Sequence, residues 1–117
     1  MIVSNVKNLE GKKYGDLETS KVLKKVLISP EQGWKDHVMR LFELSPGDNS
    51  CSLRHNHEWP HIVYIVGGTG SIHLDGTDHQ VEAGSFAYIP GEKIHQFTNK
   101  GEDLFSFICI VPPEGDI

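Results

Sequence analysis

The stretch RHNHEWPH, Arg54 to His61, places three of the chain's seven histidines within seven residues. Imidazole is the commonest side-chain ligand for borderline divalent transition metals. On an extended chain residues two apart point to the same side, so His55 and His57 project into one space about 7 Å apart along the strand. A turn or bulge at Glu58-Trp59-Pro60 can return the ring of His61 to the same point. A fourth histidine, His95, follows the turn Gly91-Glu92-Lys93 and opens the run HQFTN. Each histidine alone reads as part of a polar strand face, but the four together supply a nearly complete set of metal ligands. His37, His73 and His79 lie on polar, turn-rich segments and read as exposed.

The elements that must position these rings are strands. KKVLIS, DHVMRLFEL, SCSLRHNH, HIVYIVGG, SIHLDG, SFAYIP and LFSFICIVPP are short apolar or alternating runs bounded by Gly, Pro, Asp or Asn. With HQFTN they predict eight or more strands, and no segment carries a helical stripe. Pro46-Gly47-Asp48-Asn49 and Pro90-Gly91 read as reversals, and Asp75-Gly76 as the turn of a hairpin. Many short strands without helices mean a sandwich or a barrel, and a jelly-roll β-barrel closes most of its edges. The final PPEGDI is expected to be loose.

Composition narrows the function. At 117 residues the chain reads as one domain, long enough to bury roughly two-thirds of its unfolded surface. Its net charge is -5 and lysines thin out after Lys35, so no basic stripe follows a phosphate backbone and nucleic acid is not expected as a partner. The cluster Lys21, Lys24 and Lys25 reads as a solvated strand edge rather than an anion patch. No apolar run is long enough to span a membrane, and MIVSNVKNLE lacks a secretory pattern, which points to the cytoplasm. In that reducing compartment Cys51 and Cys109 are expected to be free thiols.

From Gly47 to Asn99 the chain resembles the two motifs of the cupin superfamily, the cupin 2 conserved barrel. The first, His-x-His-x3-Glu-x6-Gly, becomes His55, His57, His61 and Gly68. The second, Gly-x5-Pro-x-Gly-x2-His-x3-Asn, becomes Gly84, Pro90, Glu92, His95 and Asn99. His61 stands where the motif has its glutamate, and Glu92 where it has glycine, while Gly47 lies two residues further from His55 than usual. The wider pattern, over roughly residues 20 to 115, is similar to small single-domain manganese cupins with an all-histidine site. The resemblance implies a single all-β cupin domain over 1–117, a jelly-roll β-barrel or double-stranded β-helix. Its N-terminal strands fall in 1–45, its metal-site core in 46–100, and its last strand and tail in 101–117.

It further implies that His55, His57, His61 and His95 hold one divalent transition metal, manganese first, with iron, zinc or nickel as alternatives. Four neutral ligands leave the ion's charge uncompensated, so the site would be more Lewis acidic than one with a carboxylate, with up to two open positions for a small ligand. Strand parity groups Cys51 and Leu53 with His55 and His57, Phe97 and Asn99 with His95, and Phe107 with Cys109. Arg40, inside the apolar run VMRLF, reads either as a solvent-facing arginine or as an inward clamp for a carboxylate. Trp59, Phe97 and Phe107 read first as packing and second as a small apolar pocket mouth. Tyr64 is open between the same two roles, and Cys109 between a buried inert thiol and a group near the metal. No general base stands out, since Glu58 reads as facing solvent or supporting an imidazole.

Three functions follow from the resemblance. One is a Mn- or Fe-dependent enzyme acting on a small oxygen-bearing substrate, such as a carboxylate, with oxygenase (dioxygenase-like) chemistry favoured. The second is a redox-neutral isomerase or decarboxylase acting on a sugar or keto acid. The third is a non-catalytic binder of a small ligand, since one fold hosts many chemistries. A homodimer is expected, with the edge around Val22 to Ile28 adding to a neighbour's sheet.

Overall fold

The computed structural model describes residues 1–14, 21–47 and 57–116. Nine strands are found among them: β1 (Lys12–Lys13), β2 (Val22–Ile28), β3 (Val38–Leu44), β4 (His61–Gly67), β5 (Thr69–Leu74), β6 (Thr77–Glu82), β7 (Phe86–Ile89), β8 (His95–Asn99) and β9 (Phe105–Val111). The helical content among the described residues is three short 310 turns, Val6–Asn8, Pro30–Gln32 and Pro113–Gly115. The strands form a six-stranded sheet in the order β1-β2-β3-β9-β4-β7 and a three-stranded sheet in the order β6-β5-β8, every neighbouring pair antiparallel. This is the all-β jelly-roll expected from the strand and turn pattern. Among the described residues no helix is long and apolar enough to cross a membrane.

Alternation decides which side chains enter the core. In β9 Phe105, Phe107, Cys109 and Val111 are buried, and in β4 His61, Val63 and Ile65 are buried while Ile62, Tyr64 and Val66 are exposed. Phe107 of the large sheet stacks on Phe97 of the small one with ring centroids 4.2 Å apart, and on Phe42 of β3 at 5.4 Å. These rings join the two sheets, each fully buried large side chain contributing on the order of 1.5–3 kcal/mol. Asn99 fastens the far end, its Nδ2 donating to the Leu44 and Asp103 carbonyls and its Oδ1 accepting from the Gly101 amide.

The turns obey their residues. Asp75 and Gly76 both have positive φ, 48° and 88°, and join Leu74 to Thr77 in a two-residue hairpin. Gly68 has φ 79°, and a Cβ there would lie 2.2 Å from the Leu104 carbonyl oxygen, so its place in the first motif is steric.

Several expectations are corrected. Residues 112–116 are not loose, because Pro113–Gly115 forms a 310 turn whose Gly115 is buried. His37 and His73 are half-buried rather than exposed, His37 lying against Trp34 at 4.9 Å and His73 pairing with Asp78 at 2.7 Å. Lys24 and Lys25 form ion pairs with Asp116 and Glu43. The strand β2 is not a bare edge along its length, since β3 pairs along one side and β1 covers Leu23 and Lys24 on the other. The strand expected at SCSLRHNH, with Cys51, Leu53 and His55, lies outside the described residues.

Candidate metal centre

Three of the four expected histidines meet. His61 opens β4 and His95 opens β8, both buried at strand starts in opposite sheets, and His57 precedes β4 across the Glu58-Trp59-Pro60 turn. One ring nitrogen from each of His57, His61 and His95 lies within 4.8 Å of the others. The rings of His57 and His61 are nearly parallel with centroids 5.1 Å apart, while His95 meets both edge-on at 5.4 and 4.8 Å. Two imidazole nitrogens bonded to one zinc-sized ion at a tetrahedral angle are about 3.4 Å apart, so the widest pair would close by roughly 1.4 Å on binding such an ion.

The surroundings fix ring orientation. Nδ1 of His95 lies 2.8 Å from the Lys93 carbonyl oxygen, to which it donates, leaving Nε2 as the lone-pair nitrogen, and that atom is buried. Nδ1 of His61 lies 3.2 Å from Sγ of Cys109, and its Nε2 is likewise buried. Trp59 stacks on His57 at 4.7 Å with a 12° interplanar angle. The turn after β7 is tied to the same segment, the Glu92 amide donating to the His57 carbonyl. Gly91 is required there, because a Cβ would lie 2.2 Å from the Glu58 carbonyl oxygen.

The charge balance favours neutral imidazoles. Burial, then His95 and Arg40, pull His57 below the usual histidine value. Burial lowers His95 as well, partly opposed by its hydrogen bond to Lys93. Neutral rings with oriented lone pairs are the form that binds metal.

Arg40 points inward. It is 2% exposed, its Nη2 donates to Cys109 Sγ at 3.2 Å, and its Nη1 lies 3.5 Å from the Gly115 carbonyl and 3.7 Å from the Asp116 carboxylate. Cys109 is a free, buried thiol, raised by burial and partly drawn back by Arg40. Together these residues surround a cavity of about 30 Å3, lined also by Tyr14, Phe42, Phe97 and Phe107. That is room for roughly one or two waters.

Of the residues expected at the pocket, Arg40, Phe97, Phe107 and Cys109 line the cavity, whereas Trp59 backs His57 and packs against Gly115. Tyr64 faces outward and is half exposed, and Glu58 is exposed. Tyr14, Phe42 and Gly115 were not anticipated. Phe42 was within reach of parity, being two residues from Arg40 on the same strand, but Tyr14 and Gly115 arrive from segments without a chemical signature.

Residues 40–111 match the family described as Cupin domain (Cupin_2). The 1-methylthio-D-xylulose 5-phosphate methylsulfurylase of Rhodospirillum rubrum is 33% identical over 67% of this chain and 49% of its own length. The chain thus spans about half of that relative. The oxalate-binding protein of Thermotoga maritima is 26% identical over 91% of this chain and 83% of its own. The solved structure of the polyketide cyclase RemF from Streptomyces resistomycificus superposes with a TM-score of 0.86 at 23% identity, covering 97% of this chain and 80% of that one.

Proposed function

This chain belongs to the cupin domain family, and from that premise we propose that His57, His61 and His95, joined by His55, hold one divalent transition metal that receives a small oxygen-bearing ligand beside Arg40. The observation that carries the reading is the convergence of three imidazoles whose ring nitrogens lie within 4.8 Å of one another at the cavity wall. Manganese is the ion we assign, with iron next, on the resemblance to all-histidine manganese cupins; by intrinsic affinity imidazole donors take zinc or nickel over manganese, so this choice depends on geometry and supply. When bound, such an ion supplies Lewis acidity to an oxygen ligand.

The chain's own residues do the rest. Lys93 and Cys109 orient two of the rings, Phe97 and Phe107 exclude water, and the Arg40 guanidinium offers its fork to a carboxylate. Oxygen-dependent oxidation of a small carboxylate is the enzymatic reading we favour, in a cytoplasmic protein whose Cys109 stays reduced. One observation favours a second reading, ligand binding without turnover. Among the described residues the cavity wall carries no Asp or Glu to serve as a general base, and a relative is named an oxalate-binding protein.

The test is elemental analysis of protein purified without chelator, beside His61→Ala, followed by assays of small carboxylates with and without oxygen. About one equivalent of manganese or iron, lost in the variant, supports the site. A parent that neither carries nor takes up metal refutes it. Oxygen-dependent turnover selects the enzyme, and ligand retention without turnover selects the binder.

A further inference from the structure

The cavity beside the histidines is closed on one side by a segment that belongs to neither sheet. Most of its wall stands on paired strands: Arg40 and Phe42 on β3, His95 and Phe97 on β8, Phe107 and Cys109 on β9. Gly115 differs. The β3–β9 ladder ends where Val38 pairs with Val111, and Pro112 and Pro113, which have no amide hydrogen, carry the chain off the sheet into its 310 turn. Among the described residues the backbone hydrogen bonds of this turn are its own, from the Gly115 amide to the Pro112 carbonyl at 2.8 Å and from the Asp116 amide to Pro113 at 3.1 Å. Side chains fasten it to the barrel. Arg40 Nη1 lies 3.5 Å from the Gly115 carbonyl and 3.7 Å from the Asp116 carboxylate, and Lys24 Nζ holds that carboxylate at 2.9 Å.

We propose that the turn of residues 112–116 is the gate of the histidine cavity, and that Asp116 latches it by occupying the guanidinium of Arg40 that a ligand's carboxylate takes when the gate opens. This rests on the reading of Arg40 as the carboxylate subsite. Space requires a gate. The shut cavity of about 30 Å3 holds roughly one or two waters, so a carboxylate ligand enters only when part of the wall moves. The ring stacks at 4.2 and 5.4 Å and the hydrogen-bonded ladders resist that movement, whereas the turn swings about Pro112 as one body with its own hydrogen bonds intact.

Charge couples entry to opening. One buried guanidinium does not compensate two carboxylates, so a ligand at Arg40 weakens the hold on Asp116, and at 3.7 Å that hold is an ion pair without a hydrogen bond. Arg40 also has a donor to offer, since its buried Nε has no hydrogen-bond partner among the described residues, and a ligand carboxylate supplies the acceptor. Lys24 is the leash. Its flexible stem lets the pair with Asp116 follow the turn outward, so the open gate stays tethered. Trp59 reports the motion, because its indole packs against Gly115 and stacks on His57 at 4.7 Å.

Titration of the protein as purified with sodium acetate, against sodium chloride at equal ionic strength, tests the gate in a Trp34→Phe background, where Trp59 is the remaining tryptophan. Calorimetry follows acetate binding, and emission follows the turn. The expected result is a saturable shift of Trp59 emission whose midpoint matches the calorimetric one and falls roughly three- to tenfold in Asp116→Asn, where the latch no longer competes. Asp116→Ala decides in the same way should the first variant misfold. Acetate that binds the parent, is lost in Arg40→Gln, and yet leaves the emission unmoved and the midpoint unchanged in the Asp116 variants keeps the subsite and overturns the gate. Acetate that binds none of these proteins overturns the Arg40 subsite and the gate with it.

Discussion

His61 and Cys109 are neighbours across the β4–β9 ladder, with Nδ1 of the imidazole 3.2 Å from the thiol sulfur, and the same sulfur accepts from Arg40 at 3.2 Å. In the metal site proposed above, this sulfur stands where a carbonyl or carboxylate commonly orients a ligating histidine. With Nε2 turned to the metal, Nδ1 of His61 carries the proton, and Cys109→Ala then removes the acceptor of two buried donors at once. We expect metal affinity to fall about 10- to 100-fold and folding stability by about 1–3 kcal/mol, whereas Cys109→Ser, which keeps an acceptor, stays near the parent. Competition titration with a chromophoric chelator and urea unfolding measure the two effects. Equal affinity in all three proteins would show that the sulfur does not orient the ring.

A second expectation concerns acid. His57 and His95 are both held below the usual histidine value, chiefly by burial. Below about pH 6.5 the unfolded chain therefore binds more protons than the folded one, and folding stability must fall as the pH drops. The contribution is fully present above that pH and is lost on the way down to the folded-state values. Urea midpoints of metal-free protein between about pH 7 and 5 should decline, and His57→Gln should flatten part of the slope. A midpoint that stays level would contradict the buried, neutral rings.

How much of this was legible beforehand differs between side chains. The strands, the Asp75-Gly76 hairpin and the pairing of Phe107 with Cys109 follow from period and turn chemistry, which are local properties. The convergence of His57, His61 and His95 was foreseen because motif spacing compresses a three-dimensional arrangement into one dimension. Arg40 was undecided, since alternation permits either face in an apolar run, and only the pairing of β3 between β2 and β9 turns it inward. The role of Gly115 was invisible. A proline-rich tail carries no period, and what orders it is contact with Trp59 and Arg40, residues 56 and 75 positions away.

That tail makes a prediction of its own. The Asp116 carboxylate is 2.9 Å from Lys24 Nζ and 3.7 Å from Arg40, and its side chain is 23% exposed. A Cβ on Gly115 would lie 2.6 Å from Nε1 of Trp59. Gly115→Ala must push the indole and disturb its stack on His57, so in a Trp34→Phe background the emission of Trp59 should shift. Asp116→Asn should cost about 1–2 kcal/mol, the value of a partly buried pair after allowance for solvent screening. Unchanged emission and unchanged stability would mean the 310 turn rests on the barrel without bracing it.

Glu92 stands where the second cupin motif has glycine, and the structure shows the consequence. Its φ is 68°, in the left-handed region that costs a residue with a Cβ on the order of 1–2 kcal/mol. Glycine adopts the conformation without that penalty but gives back part of the gain by enlarging the freedom of the unfolded chain. Glu92→Gly should therefore stabilise the protein by about 0.5–1 kcal/mol, raising the melting temperature by a few degrees. The neighbouring Gly91→Ala should do the reverse and more strongly, since its Cβ would meet the Glu58 carbonyl oxygen and force apart the turn and the segment bearing His57. Thermal unfolding of both variants, with and without added metal, separates the effects. The first shifts stability alone, and the second also weakens metal binding by displacing His57. Equal behaviour of the two would mean that the turn is not tied to the site through Gly91.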